Sequence, residues 1–185
     1  FEDAPSRPSE AWWQKKTTDL VALNIEEPTY VYDLDTVTAR CTALLNCENL
    51  DRVFFAMKAN DHPSILRTVE ERGIGFEAVS KGELMHLFEV LPSLDVKRVL
   101  FTPNFASRKD FEFAIEKGVW INIDNVEVLR KWGDTFTNQE ILLRLDPGQG
   151  RGHHQHVHTG GKRSKFGISR DEITTAIQLA SDVSA

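Results

Sequence analysis

From Pro28 onward, short continuous apolar runs alternate with longer stretches in which apolar residues recur every three or four positions. The short runs predict strands at 29–33 (TYVYD), 52–57 (RVFFAM), 75–79 (GFEAV), 98–102 (RVLFT), Trp120–Ile123 (WINI) and 140–145 (EILLRL). The longer stretches predict helices over Leu34–Leu45, 63–72, 81–91, Arg108–Lys117, Val126–Trp132 and 170–180. The first of these is expected to be N-capped by Asp35 and to bury Val37, Leu44 and Leu45. The second opens on Pro63, where a missing N–H costs nothing. Ser80 is placed to cap the third.

Six strands alternating with six helices imply a parallel sheet wound by right-handed crossovers. The apolar runs suggest strands covered on both faces. A doubly wound open sheet and a (β/α) barrel both fit. No glycine-rich turn follows the first predicted strand, where VYDLD stands instead, so the dinucleotide-binding version is disfavoured. A full barrel needs eight such units in about 250 residues, and six are visible here, so the chain is expected to be an open sheet or a piece of a barrel.

The 185 residues suffice for one domain with a substantial core, and the net charge of −6 argues against a general nucleic-acid or membrane-surface binder. Cys41 and Cys47 lie six apart, a spacing of neither a metal pair nor a disulfide framework, and are expected to be free thiols. The opening FEDAPSRPSEAWWQKK lacks the apolar segment of a secretory signal, and no run has the length of a membrane span. These features lead us to expect a soluble, cytoplasmic domain.

In a barrel, reactive groups project from the C-terminal ends of strands. Here those ends carry Asp33, Lys58, Glu77, Asn104, Asp124, Asn125, Arg144 and Asp146. Lys58 is the most informative, because the apolar run VFFAM leads straight into it. One reading is a surface lysine whose stem lies along apolar neighbours. The other is an amine kept partly dry, with a lowered pKa, able to attack a carbonyl carbon.

The connection 146–169 (DPGQGRGHHQHVHTGGKRSKFGIS) is long for a compact domain. Its glycines and its Arg151, Lys162, Arg163 and Lys165 suit a phosphate or carboxylate. A nucleotide-hydrolase phosphate loop is excluded, since His156 and Arg163 stand where it needs Gly and Ser or Thr. A G-x-G-x-x-G pattern also fails, because His153 follows Gly148 and Gly150 in the third glycine's place. His153, His154, His156 and His158 lack the framework spacing of a resident metal site, so no metal is expected.

The stretches TYVYDLDTV, FFAMKAN, GIGFEAVSKGEL, VLFTPNFAS, INIDNVEVL, LLRLDPG and SKFGI run in one order along the chain. Together they resemble the fold-type III pyridoxal-phosphate decarboxylases, the group acting on diaminopimelate, ornithine and arginine. DPGQGRGHH followed by TGGKRSKFGI is most similar to the bacterial diaminopimelate branch, and AWWQKK with GQGRGHHQH to the decarboxylase half of proteins fused to an aspartokinase. The resemblance implies an incomplete (β/α)8 TIM-type barrel of the alanine racemase-like group, in which residues 28–185 supply about six of eight units. Residues 1–27 would then be an extension joining a separate β-domain.

It further implies pyridoxal 5′-phosphate as cofactor, with Lys58 as the catalytic residue that binds its aldehyde. Glu77, where the family usually has aspartate, Arg144, Ser80 and Glu83 are the other implied cofactor-binding residues. For Ser80 and Glu83 a plain helix cap and first-turn acid is an equal reading. Lys165 and Phe166 match a motif that closes beside the family's site, and Asn60 is expected to hold the turn after Lys58. The implied reaction is decarboxylation of meso-diaminopimelate to lysine, in a protein that self-associates, as a homodimer or otherwise, with an aspartokinase upstream. The family's later cofactor-binding segments are not among the matching stretches, so this piece is expected to be inactive alone. An ornithine- or arginine-type decarboxylase and a catalytically silent binding module remain as alternatives.

Overall fold

The computed structural model describes residues 11–148 and 165–183. Five strands, β1 (Phe54–Ala56), β2 (Gly75–Ala78), β3 (Val99–Phe101), β4 (Trp120–Ile123) and β5 (Ile141–Leu143), form one sheet in the order β1-β2-β3-β4-β5. Every neighbouring pair is parallel. Helices α4 (Pro63–Glu71), α5 (Lys81–Val90), α6 (Arg108–Lys117) and α7 (Val126–Trp132) make the crossovers, and α8 (Ile173–Asp182) follows β5. A doubly wound sheet reverses its strand order at a switch point. Among the described residues this order never reverses, which is the winding of a barrel.

Register explains which residues form the core. Because strand side chains alternate between faces, Phe76, Ala78, Val99, Phe101, Ile121 and Ile123 share one face, and all are buried. Helix residues pack onto them: Phe111 of α6 meets Phe101 edge-on at 6.0 Å and Phe136 at 5.4 Å. Gly75 lets β1 and β2 approach, since a Cβ there would stand 2.7 Å from the Arg98 carbonyl oxygen and 2.8 Å from the Phe54 ring. The other face carries Ala56, Glu77, Leu100, Asn122 and Leu142, which are half-buried or exposed. Strands covered on both faces are therefore not what the described residues show.

The helix limits agree closely with the periodicity, and α3 (Leu34–Leu45), α6 and α7 coincide with it. Its details differ in three places. Asp33, not Asp35, caps α3, accepting from the Thr36 amide at 2.9 Å. Cys41 and Val37 face the core, while Leu44 and Leu45 stay exposed. Residues 29–33 are not a strand, and Tyr30 is 89% exposed. An extended run becomes a strand only when another chain segment takes its backbone hydrogen bonds, and none of the described residues does so here.

Two short helices precede this run, α1 (Trp12–Lys15) and α2 (Thr17–Ala22). They are tied down by Lys16, whose Nζ lies 2.5 Å from an Asp33 carboxylate oxygen. The cysteines are free thiols, Cys41 buried and Cys47 exposed just beyond α3. No helix among the described residues is long and apolar enough to cross a membrane.

Candidate active site

The apolar run that ends on Lys58 has a simple outcome. Met57 takes the buried place, and a 3-10 turn over Met57–Ala59 swings the next side chain outward. The Lys58 side chain is 55% exposed, and its Nζ lies 3.4 Å from both carboxylate oxygens of Glu77. Of the two readings of Lys58, the structure fits the surface lysine: an accessible amine facing a carboxylate rather than a desolvated one. Asn60 acts as expected, its side-chain oxygen accepting from the His62 amide at 3.0 Å to set the turn before α4.

Glu77 is the more buried partner, with 19% of its side chain exposed. It is held by Thr102, whose hydroxyl donates to Glu77 Oε1. Sequence reasoning missed Thr102, although register contains the signal. Glu77 pairs with Leu100, and Thr102, two residues further on, shares that face. The Thr102 amide also donates to the Ala78 carbonyl at 2.9 Å, which extends the pairing one step past β3.

The same alternation carries Asn104, Asp124 and Arg144 to this side. Asn104 Nδ2 donates to Asp124 Oδ2 at 2.5 Å and to the Lys165 carbonyl at 3.1 Å. Asp124 is 4% exposed and also accepts from Asn125 Nδ2 at 3.0 Å. Burial pushes its carboxyl pKa up, against the bonds from Asn104 and Asn125 and the charge of Arg144, which pull it down. The Arg144 guanidinium stacks 4.5 Å from the Phe166 ring centre, and its amide donates to the Ile123 carbonyl at 2.8 Å.

Other expected residues take different duties. Asn125 caps α7 through the Val128 amide at 3.2 Å. Asp146 is buried and accepts from the Gly148 amide at 2.8 Å. Asp33 is engaged with Lys16 and the start of α3. Ser80 accepts from the Glu83 amide at 3.1 Å, and Glu83 Oε2 accepts from the Val79 amide at 2.7 Å, so both groups fix the start of α5 directly after Glu77. Gly150, Arg151, Gly152, the four loop histidines, Gly160, Gly161, Lys162 and Arg163 lie outside the described residues. Among the described residues no His, Cys, Asp and Glu group is disposed to hold a metal.

An accessible primary amine, a carboxylate in contact with it and an arginine on the same strand-end face form a set able to take an aldehyde bearing an anionic group. Residues 34–184 match the family model described as the pyridoxal-binding domain of pyridoxal-dependent decarboxylases. The chain belongs to this family. Among its curated relatives, the diaminopimelate decarboxylase of Methanothermobacter thermautotrophicus is 35% identical over 71% of this chain and 31% of its own length. That of Escherichia coli is 30% identical over 88% of this chain and 40% of its own length. The chain therefore spans about a third to two-fifths of these pyridoxal-dependent decarboxylases.

Solved structures agree on the fold. A crystal structure of a diaminopimelate decarboxylase superposes with a TM-score of 0.76 at 29% identity, covering 88% of this chain and 38% of that one. The Helicobacter pylori diaminopimelate decarboxylase mutant complexed with L-lysine gives 0.80 at 21% identity, covering 90% and 43%. The chain is thus part of an alanine racemase-like (β/α)8 barrel. Among the described residues five strands are formed, where six were expected, because 29–33 pairs with none of them.

Proposed function

We propose that this chain carries part of the pyridoxal 5′-phosphate site of a decarboxylase acting on meso-diaminopimelate to form lysine. The observation that carries the reading is the contact of Lys58 Nζ with Glu77, braced by Thr102 on the face that Arg144 shares. The residues fit the cofactor: the amine is accessible to an aldehyde, and Arg144 supplies a fixed positive charge for an anionic group. The substrate is proposed from the relatives named as diaminopimelate decarboxylases at 30–35% identity.

When bound, pyridoxal phosphate supplies the electron sink that lets a carboxylate leave as carbon dioxide. The protein's part is binding and orientation. Lys58 would hold the cofactor through its aldehyde, and Glu77, 3.4 Å from the Lys58 amine, is placed to hold the proton that the amine gives up. Thr102 keeps the Glu77 carboxylate turned toward Lys58. Arg144 orients the anionic groups of cofactor or substrate, and Phe166 shields one face of its guanidinium from water. Ser80 and Glu83, at the start of α5, belong to the same proposed cofactor-binding set.

Residues 28–185 are proposed as the partial cofactor barrel and residues 1–27 as an extension that joins a β-domain. Self-association, as a homodimer or otherwise, an aspartokinase upstream and a cytoplasmic location belong to the same proposal and rest on the resemblance described above.

The test is trapping. The chain is incubated with pyridoxal phosphate, reduced with borohydride and digested, and the modified lysine is located. Selective labelling at Lys58 over Lys81, Lys97 and Lys117 is expected. Labelling scattered over these lysines, or none, would overturn the assignment of Lys58.

A further inference from the structure

Beyond the residues that would touch the cofactor lies a second arrangement, built around the arm Lys165–Ile168. This arm returns to the sheet beside β5. Ile168 forms a parallel bridge with Leu145, its amide donating to the Arg144 carbonyl at 2.7 Å and its carbonyl accepting from the Asp146 amide at 2.8 Å. Gly167 makes the approach feasible. Its φ is +82°, and a Cβ there would stand 2.9 Å from the Asp146 nitrogen. Ile168 is 1% exposed, so the end of the arm is anchored in the core.

At the start of the arm a side-chain hydrogen bond reaches its backbone from Asn104. One Nδ2 group spans two elements, donating to Asp124 Oδ2 at the end of β4 and to the carbonyl of Lys165. Both protons of that amide are thereby used. Among the described residues the Asn104 Oδ1 is buried without a partner, a cost at this position. Between the two anchors sits Phe166, its ring 4.5 Å from the Arg144 guanidinium carbon.

We propose that Asn104 is a positioning residue that pins the arm at Lys165 and so holds Phe166 against Arg144. The link to Arg144's role rests on the proposed function, whereas the pinning stands on geometry alone. Asn104 touches neither Lys58 nor Glu77 in any contact shown, and acts through the arm. Asp124 serves as the fixed post, buried at the end of β4 and held from its other oxygen by Asn125. The orientation of this post also keeps a negative charge near Arg144, on the side of the sheet that the arm covers.

Two variants separate pinning from simple pair stability. In Asn104→Asp a carboxylate faces both Asp124 and the Lys165 carbonyl, and both donated bonds are lost. In the double variant N104D/D124N the new amide donates back to residue 104, which restores the pair with its polarity reversed. The Lys165 carbonyl still meets an acceptor. The measurement is hydrogen exchange of the Ile168 and Asp146 amides, with Phe101 in β3 as the core reference. In N104D, exchange at Ile168 is expected to rise about tenfold, the effect of one lost hydrogen bond to a held strand. In the double variant the melting temperature recovers while exchange at Ile168 stays fast.

Recovery of both in the double variant would overturn the proposal, since the pair alone would then matter. Unchanged exchange at Ile168 in a folded N104D chain would overturn it equally. Should N104D not fold, Asn104→Ala places no charge opposite Asp124 and is read by the same exchange. Pyridoxal phosphate affinity, followed by absorbance, is expected to fall severalfold wherever the arm is released. Fast exchange with unaltered affinity would remove the positioning role. An unaltered chain that binds no pyridoxal phosphate would count against the proposed function and leave the exchange result to decide the pinning.

Discussion

At Glu77 a single carboxylate serves two partners of different strength. Lys58 approaches both oxygens at 3.4 Å, a loose ion pair at a half-exposed amine, while the Thr102 hydroxyl bonds one oxygen directly. Exposed ion pairs hold geometry poorly because water competes for both ions. The hydroxyl therefore sets where the carboxylate points. Thr102→Val keeps the shape and removes the bond, and is expected to slow pyridoxyl labelling of Lys58 about fivefold, the worth of one hydrogen bond of about 1 kcal/mol. An unchanged labelling rate would show that Glu77 needs no brace. The sequence pointed to Lys58 and Glu77 because an amine and a carboxylate at strand ends are conspicuous. It hid Thr102, because a threonine at the end of an apolar run reads as ordinary strand composition. It left the burial of Lys58 open between two readings, since the 3-10 turn that puts Met57 in the buried place leaves no signature in a run of apolar letters.

Among the elements, α3 shows where periodicity suffices and where it does not. Its limits follow from the sequence, but its cap moves from Asp35 to Asp33, because Asp33 serves two elements at once. The hydrogen bond from Lys16 holds the Asp33 carboxyl down at about 2, with Thr36 adding to the effect. The Lys16 ammonium is raised by the same bond, so the two directions agree. A carboxyl whose folded value lies below its ordinary 3.8 contributes stability that is complete above about pH 4 and is lost as pH falls toward 2. Acid titration of the intact chain, followed by α1–α2 hydrogen exchange, should show release of this segment in that window. Asp33→Asn should show the segment partly released already at neutral pH and no further acid step. An identical acid profile in the variant would remove Asp33 as the tie. The strand expected at 29–33 failed for a different reason: alternation marks a segment able to pair, but pairing depends on a neighbour that local sequence does not specify.

For the whole molecule, the parallel winding was legible because crossover order is written in the sequence of strands and helices. The closure of the sheet was not. Among the described residues β1 pairs only with β2 and β5 only with β4, so each of these strands has an edge open to pairing. Beside β1 lies a groove of about 430 Å³ between that strand and α3, lined by apolar groups including Val37, Cys41, Leu44, Phe55 and Ile74. At the other end Leu142 and Leu145 are exposed, and Tyr30, Val31 and Tyr32 add an extended apolar run before α3. Exposed apolar patches and unpaired edges favour association, and a net charge of −6 is a modest opposing repulsion. The 185-residue chain is therefore expected to self-associate. Light scattering on the eluting peak should give a mass of at least twice 21.0 kDa at micromolar concentration, falling on dilution. Leu142→Lys places a charge on the β5 edge and should shift the equilibrium toward monomer if that edge takes part. If the variant leaves association intact, the β1 groove is the contact, and a charge at Leu44 should then be the change that dissolves it. A 21.0 kDa monomer across the whole concentration range would mean that neither edge is adhesive.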